Sequence, residues 1–104
     1  MKVVFHLSEL EKWSMAQGNI KNLLAIDATI EVVLLVNGPA IKGYFETEQR
    51  SFIKATPVKL WACRNALRGN HLDEEALSKK ITVVPAGVYA LVELQTQGYS
   101  YIKV

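Results

Sequence analysis

One cysteine, Cys63, is all the sulfhydryl chemistry that the 104 residues contain, so no internal disulfide can form. The two histidines, His6 and His71, are far apart in the sequence. Together with a single cysteine they do not make a zinc site, and no metal or cofactor is expected. Charge of one sign is also scarce. Twelve basic and ten acidic residues interleave to a net +2 without a block of five or six like charges, which removes support for nucleic-acid binding. No apolar run approaches the length of a membrane span. The apolar start Val3-Val4-Phe5 is too short for a signal peptide and runs into His6 and charged residues. A cytoplasmic, reducing location is therefore expected. The chain has no Gly-x-Gly-x-x-Gly fingerprint, no phosphate loop ending in Gly-Lys-Ser/Thr, and no serine in a nucleophile elbow. Strand one lacks the acidic pair with which a phospho-receiver domain holds magnesium.

What is present reads as alternating strands and helices in one domain spanning residues 1–104. Lys2 to His6 is a β-branched and aromatic run, taken as the first strand. Ser8 is a suitable N-cap for a helix from about Glu9 to Ala25, marked by Trp13, Ala16, Ile20, Leu23 and Leu24 at helical spacing. Gly18 inside that helix costs about 1 kcal/mol relative to alanine, which suggests a close helix partner or a bend. Ile30 to Val36 is a continuous apolar run, as in a parallel strand covered on both faces. Asn37-Gly38-Pro39-Ala40 stops it. A second helix is expected over Ile41 to Phe45, resuming at Phe52-Ile53-Lys54, with polar Glu46 to Ser51 as a loop or an exposed turn. Val58 to Ala62 is strand three, ending at Cys63. A short helix follows from Arg64 to Arg68 and stops at Gly69-Asn70. Asp73 to Leu77 forms a helical turn, Ile81 to Val84 strand four, and Pro85-Ala86-Gly87 its terminating loop. Val88 to about Gly98 is the last helix and Ser100 to Val104 strand five. This alternation predicts an α/β fold with a mainly parallel sheet and helices on both faces.

Ligands of such sheets bind at the carboxyl ends of the strands. The residues expected there are His6, Asn37, Gly38, Cys63, Arg64, Asn65 and Gly87. Cys63 joins a strand end to a helix start. Free N–H groups there, and Arg64 or Arg68 nearby, would stabilise a thiolate. A buried, inert cysteine is an equally common outcome. His6 is a proton shuttle or anion partner, or, as a lone strand-end histidine more often is, the cap of a network. His71, in a polar loop, is expected to be solvated. Asn37-Gly38-Pro39 presents backbone donors to an anion or makes a plain tight turn. Arg64 and Arg68 lie one turn apart and hold an anion, a neighbouring subunit or only water. Trp13 and Trp61 read as packing residues.

The stretch Ala62-Cys63-Arg64-Asn65-Ala66-Leu67-Arg68 resembles the Ala-Cys-x-Asn-Thr-Leu-Arg segment of small DsrE-like proteins. Val36 to Ala40, Val83 to Val88, Leu94 to Lys103, Glu11-Lys12-Trp13 and Asn19 to Leu24 extend the resemblance over nearly the whole chain, in register. The resemblance implies a three-layer α/β/α arrangement with five parallel strands and a homo-oligomer, commonly a trimer or hexamer. In the sulfur-relay subunits of this family the corresponding cysteine carries a persulfide between donor and acceptor proteins. Two positions depart from the pattern. Asn37 stands where many relatives have histidine, and Ala66 replaces the usual threonine. Two functions are therefore expected in competition. One is a sulfur carrier working through Cys63, with Arg64 and Asn65 stabilising the anion. The other is an assembly or binding module with an inert cysteine and a small-anion cleft.

Overall fold

A computed structural model describes residues 1–104. The five strands are β1 (Lys2–Leu7), β2 (Glu31–Val36), β3 (Lys59–Cys63), β4 (Ile81–Val84) and β5 (Ser100–Lys103). They form one sheet in the order β4-β3-β2-β1-β5, and every pairing is parallel. The helices are α1 (Trp13–Ile26), α2 (Arg50–Ala55), α3 (Arg64–Gly69) and α4 (Gly87–Thr96). No helix is long and apolar enough to cross a membrane.

The order of the strands decides where the helices go. From β1 to β4 each connection steps to the next strand in the same direction, and right-handed crossovers then put α1, α2 and α3 on the same face. Their Trp13, Ala16, Ile20, Ile53 and Leu67 pack there against Phe5, Leu7, Leu34, Val36, Leu60 and Ala62. The connection from β4 to β5 runs back across the sheet and takes α4 to the other face. There Ala90, Leu91 and Leu94 pack on Val4, Val33 and Leu35. One face thus has three helices and the other only one. The thin cover of that second face follows from the topology.

Central β2 is buried on both faces, with Leu34 and Leu35 both fully enclosed, as its unbroken apolar run requires. Residues 38–55 differ from the expected helix–loop–helix. A 3₁₀ segment spans Gly38–Phe45, a 3₁₀ turn follows at Thr47–Gln49, and α2 begins at Arg50. Gly38 opens the first segment at φ +53°, and Pro39 fits its first turn. At Gly43 a Cβ would fall inside the indole of Trp13, whose N–H donates to Ala40 O at 2.9 Å. Tyr44 lies edge-on to the same indole and donates its hydroxyl to Trp61 O at 3.0 Å. Burial pushes that phenol well above the ordinary tyrosine range.

Two local expectations are corrected. Ser8 does not cap the first helix. Glu9 precedes a 3₁₀ turn, Leu10–Lys12, without a side-chain cap, and the Ser8 carbonyl instead accepts Ala40 N–H at 3.2 Å. Gly18 has no close partner, since a Cβ there would meet nothing within 4 Å, and α1 runs on through it. The stop of α3 at Gly69-Asn70 is as expected, and the left-handed residue that follows it is His71, at φ 56°. Asn70 donates its side-chain amide to Ala66 O at 2.8 Å, and Leu72 N–H closes the turn onto Leu67 O at 2.9 Å.

Candidate functional site

The chain leaves β3 toward the three-helix face and leaves β4 toward the other. Between the carboxyl ends of these neighbouring strands the backbone parts, which is where α/β sheets form crevices. Cys63 and Val84 are the paired final residues of the two strands. Cys63 is also the N-cap of α3, and Gly87 is the first residue of α4. The Gly87 N–H donates to Cys63 Sγ at 3.2 Å. The sulfur therefore lies at the start of two helices and uses one of the free N–H groups of α4. It is buried, with 6% of the residue exposed.

Gly87 brings Asn37 and Cys63 close to the start of α4. A Cβ on it would stand 3.3 Å from both Asn37 Cβ and Cys63 Cβ and 3.4 Å from Asn37 Nδ2. Asn37 and Cys63 thus flank the same small hollow. Asn37 Oδ1 lies 2.9 Å from His6 Nε2, and His6 Nδ1 lies 2.6 Å from the Tyr101 hydroxyl. A continuous set of side chains runs from β5 through β1 and β2 to the hollow beside the thiol.

Of the residues expected at this edge, Cys63, Gly87, Asn37 and His6 come together. Gly38 lies next to them but serves the turn: its positive φ brings the chain to 3.1 Å from Ser8 O, measured from where a Cβ would be. Arg64 is turned elsewhere. Its Nε and Nη2 bond to Glu74 at 3.0 and 3.5 Å, tying α3 to the 3₁₀ turn Glu74–Ala76. Asn65 and Arg68 are exposed on α3. Tyr101 is the residue that the sequence did not disclose. Its place follows from β5 pairing with β1, where Val4 is opposite Tyr101, and nothing local announces that pairing across nearly a hundred residues.

The profile of the DsrE/DsrF-like family matches residues 1–104. Among solved structures, a protein of unknown function from Methanobacterium thermoautotrophicum superposes with a TM-score of 0.88. The two are 26% identical over 99% of this chain and 98% of that one. No curated protein matches.

Proposed function

Because the chain belongs to the DsrE/DsrF-like family, we propose that it handles sulfur, accepting one sulfur atom on Cys63 as a persulfide and passing it on. The supporting observation is the place of the thiol: Sγ accepts the first N–H of α4, at the crevice where the two strands part. The chemistry needs no oxidant. The Cys63 thiolate attacks the outer sulfur of a donor persulfide, the donor S–S bond breaks, and the donor leaves as a thiolate. An acceptor thiolate then attacks the outer sulfur on Cys63, which leaves in its turn as thiolate. The Gly87 N–H, at the positive end of a ten-residue helix, favours the anionic sulfur in both steps.

The 6% exposure of Cys63 favours a second reading, an assembly or binding module with an inert cysteine. Intact mass separates the two. The folded protein should gain one sulfur atom from glutathione persulfide, and Cys63→Ser should gain none, since no other thiol exists. A wild type that gains no mass leaves the module.

The proposal includes assembly into a homo-oligomer, a trimer or hexamer, with donor and acceptor proteins as further partners. The face covered by α4 alone carries Val88, Tyr89 and Val92 at 68%, 65% and 61% exposure, next to half-covered Trp61 and Val84. Val88 and Tyr89 directly follow Gly87, so a neighbouring subunit seated on them would close over the Cys63 crevice. Light scattering at micromolar concentration should give a multiple of 11.6 kDa; a clean monomer mass overturns this part.

A further inference from the structure

The hollow beside Cys63 holds a donor that the thiol does not use. Sγ takes its hydrogen bond from Gly87 N–H, while the Asn37 amide bonds to His6. A phenol donates more readily than it accepts, so Tyr101 gives its proton to His6 Nδ1. In the neutral ring the remaining proton is then on Nε2, where it is donated to Asn37 Oδ1. With its oxygen held, the amide presents its NH2 on the other side. That Nδ2 lies 3.4 Å from the position a Gly87 Cβ would take, and Cys63 Cβ lies 3.3 Å from the same position. A second sulfur bonded to Sγ lies about 2.05 Å from it, close enough for the Asn37 NH2 to reach when that sulfur turns to its side.

We propose that Asn37 donates to the outer sulfur of a Cys63 persulfide, and that His6 and Tyr101 are positioning residues that fix the direction of its amide. The inference rests on the sulfur-carrier reading. It assigns the two donors to different atoms: Gly87 N–H serves the inner sulfur, and Asn37 NH2 the outer one. Were the amide reversed, a carbonyl oxygen would face an anion. Tyr101, through His6, is what opposes that reversal.

The test uses the whole chain loaded with glutathione persulfide and read by intact mass and by NMR of the His6 ring nitrogens and the Asn37 side-chain amide. In the wild type His6 should be the Nε2–H tautomer, and the Asn37 amide protons should shift when sulfur is loaded. Asn37→Asp keeps the shape and the acceptor for His6 but replaces the donor with an anion. It should lower the loaded fraction about tenfold at limiting donor, the scale of one hydrogen bond to a charged group. Tyr101→Phe should lose the single tautomer and load less, with its melting temperature unchanged. Tyr101 is 41% exposed, so this variant keeps the test decisive even if Asn37→Asp fails to fold. A merely structural role would move neither the tautomer nor the amide shift. If the wild type loads while the amide protons stay put and both variants load equally, this inference falls and the carrier reading stands. If the wild type takes no sulfur, both fall.

Discussion

Gly43 and Gly18 are chemically the same residue under opposite constraints. At Gly43 the indole of Trp13 occupies the space of a side chain; at Gly18 nothing lies within 4 Å. Gly43→Ala must displace a Trp13 that is 2% exposed and break its bond to Ala40 O, so it should cost about 3 kcal/mol. Gly18→Ala adds no clash within α1 and should stabilise by about 0.5–1 kcal/mol. Urea unfolding of both variants checks the pair, and a loss of stability in Gly18→Ala would show that its open side has a use. Tyr44 makes a prediction in pH. Its folded-state phenol ionises well above the unfolded value of about 10 because it is buried. Above that value the unfolded chain has released a proton that the folded chain still holds. Stability therefore falls as pH rises past about 10, and is fully present below it. Tyr44→Phe should be less stable by about 1 kcal/mol at neutral pH, having lost the bond to Trp61 O. It should show a shallower alkaline decline, and parallel curves for the two proteins would refute the assignment. None of these side-chain relations was visible in the sequence, because each joins residues from separate elements. The direction of Arg64 was hidden for the same reason: its carboxylate, Glu74, belongs to another turn ten residues on.

The elements themselves were largely legible. Ile81 to Val84 and the run ending at Val36 coincide with β4 and β2 to within a residue, since parallel strands show as short apolar runs between breakers. The carboxyl-end loops holding Cys63, Asn37 and Gly87 followed from those strands. Residues 38–55 were harder. Their apolar positions suit a helix, and the demand of Trp13 for bare backbone at Gly43 is a long-range contact that the local pattern does not carry. The end of α3 makes a test at this scale. α3 stops at Gly69-Asn70 as its sequence suggests, and His71 takes the left-handed position that Gly98, at φ 94°, takes after α4. Replacing His71 with glycine relieves the Cβ strain and should raise stability by about 0.5–1 kcal/mol, partly offset by the freer unfolded chain. No gain on thermal unfolding would mean that the histidine side chain compensates.

Across the whole molecule the strand order sets an imbalance, with α4 alone over one face. If that face joins subunits, Val92→Asp on the outer side of α4 should give a monomer that keeps its far-UV circular dichroism. An oligomer of unchanged mass would place the interface elsewhere. The same strand order has a consequence in time. β1 pairs with β5 in register from Val3 opposite Ser100, and His6 O accepts Val104 N–H at 3.0 Å. During synthesis at about 5–20 residues per second, the first strand therefore leaves the ribosome several seconds before its outer neighbour exists. Through that interval one edge of β1 is an open ladder, and His6 waits for Tyr101, 95 residues further along the chain, before its ring is held.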